Sequence, residues 1–235
     1  MTVIALLVAI FLTGQMTPAG HATAPHGPTQ VEVRPCAPLA PGAPRVGCIV
    51  VGRVDLGSQL RAPAYWYIDE FPSTSAAIAA RGPHGVVFDS HGAAWLFTIA
   101  GGGWHAGAGR RVARIGALPL VSAKRYAVEY VEGDFTPGMA TRVHRHPGVE
   151  AFYTVTGETC VETPAGVQTQ SAGGQAIIVR AGVPMKLTAI GSKNRFGFAS
   201  VLQDASKPFS SVALDWKPRG LCRQVSTPDR SRRSS

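Results

Sequence analysis

Residues 138–157 read GMATRVHRHPGVEAFYTVTG, with two histidines one residue apart and a glutamate four residues after the second. Side chains alternate along a β-strand, so His144 and His146 project from the same face. The Pro-Gly pair that follows offers a turn, after which Glu150 can return on a neighbouring strand toward the same interior. Two neutral imidazoles and one carboxylate are a ligand set that suits a catalytic divalent transition metal with open coordination positions.

This stretch resembles the first motif of the cupin superfamily, which reads Gly, five residues, His-x-His, three residues, Glu, six residues, Gly. The match holds at Gly138, His144, His146, Glu150 and Gly157. The resemblance implies an antiparallel β-barrel or jelly roll made of two facing sheets. It also implies that both histidines and the glutamate bind a metal, which in metal-binding members has a further histidine ligand from a second motif.

The second motif departs from the family pattern of Gly, five residues, Pro-x-Gly, two residues, His, three residues, Asn. Counting from Gly174 places Arg180 at the proline, Gly182 at the glycine, Met185 at the histidine and Ala189 at the asparagine. The fourth expected ligand is therefore a thioether, a soft donor that suits copper better than iron, manganese or zinc. Alternatively, Met185 is an apolar, adaptable wall residue of the barrel.

We therefore predict a site with three protein ligands and with its other positions open to water or substrate. The metal would be a divalent transition ion, with Fe, Mn, Zn, Ni and Cu as the candidates. By strand alternation Phe152 and Thr154 share the inward face of Glu150, so we expect them to line the pocket, although simple core packing is an equal alternative. Arg142 shares the face of His144 and could pair with an anionic substrate or with a core carboxylate.

The rest of the 235-residue chain predicts a mainly β protein. Residues 111–216 contain strand candidates at a spacing of roughly ten residues, separated by turn signals, as in a sandwich or barrel. A short helix with marked ends is expected at Ser73–Arg81 within a β-α-β-β unit. The predicted organisation is a signal peptide (1–22), a Pro/Gly-rich extended arm (23–60), a small α+β extension (61–110), the cupin barrel (111–216) and a basic flexible tail (217–235).

The N-terminus predicts export to the periplasm or the medium. Val3–Leu12 is an unbroken apolar run that is too short to span a bilayer. Gly20 and Ala22 supply a pair of small residues for cleavage, which would leave Thr23 as the first mature residue. An uncleaved N-terminal anchor and a misassigned start codon are the alternatives.

Four cysteines support an oxidising compartment, because an even number permits two disulfides in any of three connectivities. A bond between Cys36 and Cys48 would staple the proline-rich arm. A bond between Cys160 and Cys222 would then tie the C-terminal extension to the barrel. A zinc ribbon is excluded because the chain has no CxxC pair.

The charge distribution and the motifs present argue against two classes of function, nucleic-acid binding and serine hydrolysis. The formal net charge of +9 is spread thinly, without a clustered basic face or a recognised module, so we expect no nucleic-acid partner. No Gly-x-Ser-x-Gly elbow is present, which leaves a serine hydrolase without support. No stable membrane span is expected, and the family resemblance allows a homodimer.

The leading hypothesis is an exported cupin that binds a divalent metal and acts on a small organic molecule. Dioxygenase, isomerase, decarboxylase and lyase reactions all remain open, because one scaffold hosts many chemistries. The alternative is a structural or small-ligand-binding cupin without catalysis and with weak or no metal, which the methionine at position 185 motivates.

Overall fold

The computed structural model describes residues 31–223, which form fifteen strands and one helix. The predicted signal peptide, the first part of the arm and the end of the tail lie outside the described residues. The fold is mainly β, as the sequence predicts. The elements are β1 (Ala37–Pro38), β2 (Gly47–Gly57), β3 (Ala64–Phe71), α1 (Thr74–Ala80), β4 (Gly85–Ser90), β5 (Ala93–Ala100), β6 (Arg110–Leu118), β7 (Tyr126–Phe135), β8 (His144–Arg145), β9 (Val149–Thr156), β10 (Glu158–Thr163), β11 (Gly166–Ser171), β12 (Ile177–Val179), β13 (Lys186–Ile190), β14 (Arg195–Asp204) and β15 (Ser211–Val212).

A six-stranded sheet with the order β1-β2-β7-β14-β9-β12 forms the middle of the molecule. All neighbours in it are antiparallel except β1 and β2. Strand β2 lies within the predicted arm, where the sequence also indicates a strand at Ile49–Leu56, and it pairs with β7 over most of its length. Hydrogen bonding to a long central strand thus makes this segment part of the main sheet.

One face of the central sheet packs against a four-stranded sheet with the order β4-β5-β3-β6. Large aromatic side chains fill the space between them, including Trp66, Phe97, Tyr130 and Phe198. The ring of Phe97 lies 4.8 Å from that of Phe198 and 5.3 Å from that of Trp66, in edge-to-face contacts. The predicted α+β extension is therefore a layer that covers one side of the central sheet.

Strand β6 belongs to this covering layer and not to the barrel, in which the sequence analysis placed residues 111–118. It pairs antiparallel with β3, with Tyr67 opposite Arg114 and Trp66 opposite Ile115. This pairing places Ile115 in the aromatic core. A strand at the boundary of two sheets can satisfy its hydrogen bonds in either, and tertiary packing decides which.

The other face of the central sheet looks onto the three-stranded sheet β11-β10-β13 and the short pair β15-β8. Smaller apolar side chains fill most of this interior, among them Val131, Phe152, Val161, Leu187 and Ala199. Two antiparallel sheets that face each other across one core are an arrangement of the jelly-roll type. The predicted metal ligands lie on this side.

Two disulfides, Cys36–Cys48 and Cys160–Cys222, hold the ends of the described chain against the sheets. The buried carboxylate of Glu162 accepts hydrogen bonds from the backbone N–H groups of Arg219 and Leu221. The first residues of the predicted tail are thus anchored to β10. Among residues 31–223, no helix is long and apolar enough to cross a bilayer.

The buried aromatic side chains should contribute strongly to the free energy of unfolding. We expect Phe97→Ala to lower the free energy of unfolding by about 3–5 kcal/mol, because the ring is fully buried and its removal leaves a cavity between two sheets. Val167→Ala, at an exposed position on β11, should change it by less than about 0.5 kcal/mol. Urea titration followed by tryptophan fluorescence measures both, and equal effects would contradict the layered core.

Candidate metal centre

Three side chains of the 138–157 motif converge on one point. His144 lies on β8, His146 follows that strand directly, and Glu150 lies near the start of β9. One potential ligand atom from each lies within 4.8 Å of the other two. His146 and Glu150 are buried and His144 is partly buried. Of the predicted ligands, the structure therefore brings together all three.

Both imidazoles are held in the orientation that a metal ligand needs. Nδ1 of His144 lies 2.8 Å from the carbonyl oxygen of Arg142, and Nδ1 of His146 lies 2.7 Å from that of Phe209. A carbonyl oxygen can only accept, so each Nδ1 carries the hydrogen and donates it. Each Nε2 is then left with a free lone pair, which is the tautomer of a histidine that ligates through Nε2.

The Glu150 carboxylate completes the donor set. Its Oε2 is buried 3.3 Å from Nε2 of His146 and has no hydrogen-bond partner among residues 31–223. A buried carboxylate oxygen without a partner is costly, so native structures rarely contain one. A cation between this oxygen and the two Nε2 atoms would satisfy it. The residues present therefore fit a divalent metal.

The electrostatic environments of the two histidines differ. Burial lowers the pKa of His144, although the nearby Glu150 charge opposes this effect. Burial also disfavours the charged form of His146, but the Glu150 carboxylate 3.3 Å away and the hydrogen bond to Phe209 together raise its pKa. His144 is thus held neutral, while at His146 a proton would compete with a metal for the carboxylate.

Met185 occupies the place of the missing histidine. Its backbone pairs with that of His144 through two hydrogen bonds of 2.8 and 3.1 Å, so the two side chains start on the same face. Its side chain is fully buried in the apolar cluster that contains Phe152 and Leu187. It is absent from the residues that line the adjoining cavity. These contacts favour the role of a wall residue, and ligation stays a prediction.

A cavity of about 260 Å³ adjoins the three ligands between the facing sheets. Phe152 and Arg142 both line it. The Arg142 side chain is 57% exposed and pairs with Glu32 at 3.1 Å, so it lies at the mouth of the cavity. Thr154 lies deeper along β9, where its hydroxyl bonds Thr159 and Gln170 and does not line the cavity, which corresponds to the core-packing alternative.

Sequence reasoning missed two parts of this site. Arg195, which is only 2% exposed, lines the cavity from the first residue of β14. Phe209, which orients His146, comes from the loop between β14 and β15. The period-two pattern of residues 196–202 could have placed Arg195 on the inner face. Nothing in the sequence marks a backbone carbonyl as the partner of a distant histidine.

The chain matches no family model and no curated protein. Solved structures resemble it over part of its length. A cupin-like protein from Thermotoga maritima shares 16% identity over 37% of this chain and 64% of its own, with a TM-score of 0.32. A cupin 2 domain-containing protein from Halorhodospira halophila shares 18% over 37% of this chain and 58% of its own, with a TM-score of 0.31. A variant of oxalate decarboxylase from Bacillus subtilis shares 21% over 38% of this chain and 25% of its own, with a TM-score of 0.32.

These likenesses are partial, and this chain spans less than two thirds of each of the three structures. The protein class is therefore inferred from the motif and from the geometry of the site. A mainly β fold with a His-His-Glu cluster is consistent with a member of the cupin superfamily, as residues 138–157 predict.

Substitution of the methionine tests its role. We expect Met185→Leu to keep the full metal stoichiometry of the wild-type protein and to change the free energy of unfolding by less than about 1.5 kcal/mol, because leucine has a similar volume and no donor atom. Metal analysis of the purified variant measures the first and urea titration the second. Loss of metal from a folded variant would show that the thioether ligates.

Proposed function

We propose that this chain is an exported cupin-type protein that binds a divalent transition metal through His144, His146 and Glu150. It would act on a small organic molecule in the adjoining cavity. The observation that carries the proposal is the pair of Nδ1–H bonds to carbonyl oxygens, which leaves two Nε2 lone pairs beside an unpaired buried carboxylate oxygen. Such a combination has a ready explanation as a metal site and is costly otherwise.

A bound divalent metal would supply Lewis-acid polarisation of a carbonyl or enolate, or a position for dioxygen beside the substrate. The protein orients the two histidine ligands and encloses the cavity with apolar side chains. The carbonyls of Arg142 and Phe209 hold both rings in place. The apolar walls, which include Phe152 and Leu187, exclude water from the inner part of the cavity. Dioxygenase, isomerase and lyase reactions are all compatible with this arrangement.

Metal analysis tests the site directly. We expect the wild-type protein to bind about one zinc or manganese ion per chain, with affinity at least about a hundredfold weaker in His144→Ala and in Glu150→Gln, because each variant removes one of three donors. His84→Ala, which changes an exposed histidine outside the site, is the matched control. Isothermal titration of chelator-treated protein gives both stoichiometry and affinity.

A protein that carries little metal, with the same titration in wild type, His144→Ala and Glu150→Gln, would overturn the metalloenzyme proposal. It would favour the second candidate, a cupin that binds a small ligand without turnover. The observation behind that candidate is the buried, apolar environment of Met185 where the family motif has a fourth ligand.

The export part of the proposal is supported by the two disulfides, which are compatible with an oxidising location. We expect the protein secreted by its native host to begin at Thr23, because Gly20 and Ala22 fit the small-residue pattern before a cleavage site. Intact-mass measurement of the purified protein identifies its first residue. A mass that still contains residues 1–22 in the cell extract, with none in the medium, would contradict export.

A further inference from the structure

Arg195 is a buried cation that no carboxylate contacts directly, although the charges of Glu150 and Asp134 favour its charged form from a greater distance. Its Nε donates to the hydroxyl of Thr159 at 2.9 Å, and its Nη1 donates to the carbonyl oxygen of Gly133 at 3.1 Å. Both acceptors are neutral, and within residues 31–223 no carboxylate lies in ion-pair range of the guanidinium. Buried arginines are normally paired, because an uncompensated buried charge is strongly destabilising.

Two other buried charges follow that rule. Glu132 accepts a bidentate pair of hydrogen bonds from Arg45, and Asp69 pairs with Arg111 at 2.6 Å. Arg195 has no such direct partner, and it lines the same cavity as Glu150. Burial lowers its pKa to about 10, so the guanidinium is charged at neutral pH. A positive charge therefore faces the interior of the site.

Two glycines make the space that the guanidinium occupies. Gly133 on β7 lies opposite Gly197 on β14 in the central sheet. A Cβ atom at Gly133 would lie 2.4 Å from Nη1 of Arg195, and one at Gly197 would lie 3.1 Å from Nη2. A side chain at Gly133 would displace the guanidinium, whereas at Gly197 the closest contact of a Cβ atom would be the carbonyl oxygen of Tyr153 at 2.4 Å. The backbone thus forms a cradle in which the guanidinium lies against the sheet.

A chain of buried hydrogen bonds fixes the arginine from the other side. Thr159 accepts from Nε of Arg195 and lies 2.7 Å from the hydroxyl of Thr154, which bonds the side-chain oxygen of Gln170 at 2.9 Å. The amide nitrogen of Gln170 in turn donates to the carbonyl oxygen of Gly174. These contacts occupy Nε and Nη1. They leave Nη2 without an acceptor among the described residues.

We propose that Arg195 binds the carboxylate of a small organic acid in this cavity. The planar guanidinium matches a carboxylate in shape and charge, and a desolvated pair of this kind is a strong interaction. The cavity of about 260 Å³ has room for a small acid, and its wall beside the arginine is apolar at Val131, Phe135 and Ala199. This inference rests on the proposed function, since the remainder of the acid would extend toward the His144, His146 and Glu150 triplet.

The test compares an acid with its uncharged analogue on the same protein. Chelator-treated full-length protein is titrated calorimetrically with malonate, with malonamide and with sulfate, and in a separate titration with Zn²⁺ alone. We expect malonate to bind, and malonamide to bind at least about tenfold more weakly, because only malonate presents an anionic acceptor to the guanidinium. Sulfate is the control for a general oxyanion site, which would bind it as tightly as malonate. Arg195→Gln should weaken malonate binding by about tenfold or more and leave Zn²⁺ binding unchanged.

Arg125→Gln is the matched control, because it removes the same charge from a side chain that is 66% exposed and distant from the cavity. It should bind malonate as the wild type does. Gly133→Ala keeps the charge but intrudes on the cradle, so it should also weaken malonate binding. If Arg195→Gln does not fold, the comparison of malonate with malonamide and sulfate on the wild-type protein tests whether the cavity binds a carboxylate.

The proposal is overturned if malonate does not bind, if malonamide or sulfate binds as tightly, or if a folded Arg195→Gln retains malonate binding. Zn²⁺ binding without malonate binding would overturn this inference and leave the proposed metal site intact. Malonate binding that depends on Arg195, in a protein that does not bind Zn²⁺, would support the anion site and contradict the metal site.

Discussion

Burial of both faces of the central six-stranded sheet is the constraint on which the rest of the structure depends. Along β9, Val149, Ala151 and Tyr153 point into the aromatic layer, while Glu150 and Phe152 point into the cavity side. Because side chains alternate strictly, a shift of one residue would exchange the two sets. It would place the carboxylate among aromatic rings. The two cores therefore lock the register, and the register places the metal ligand.

The site draws on segments that are far apart in the sequence. His146 is oriented by a carbonyl 63 residues later in the chain, at Phe209. The Cys36–Cys48 disulfide and Val33 form part of the cavity wall, although they precede the motif by about a hundred residues. The ends of the described chain thus close a site whose ligands lie in its middle. An oxidising compartment would suit this arrangement, since it preserves the wall.

The pairing of buried charges separates structural groups from functional ones. Glu132 and Asp69 each pair with an arginine that lies on or just before the neighbouring strand of the same sheet, so these pairs join adjacent strands. Glu150 and Arg195 line one cavity, where Oε2 of Glu150 has no hydrogen-bond partner among residues 31–223 and the hydrogen bonds of Arg195 engage its Nε and Nη1. Proteins tolerate such groups mainly where a ligand completes them. The cavity therefore combines acceptors for a cation with a donor for an anion.

The sequence by itself determined the mainly β class, the three candidate metal ligands and the inward position of Phe152. Each depends on a local rule, namely the two-residue period of strands and the turn chemistry of Pro147-Gly148, that acts within a few residues. The tertiary structure alone decided that β6 joins the covering sheet, that Thr154 lies below the cavity and that the Phe209 carbonyl orients His146. Those outcomes depend on which strands pair and how sheets stack. Contacts between residues tens of positions apart decide them, and no local pattern encodes such contacts.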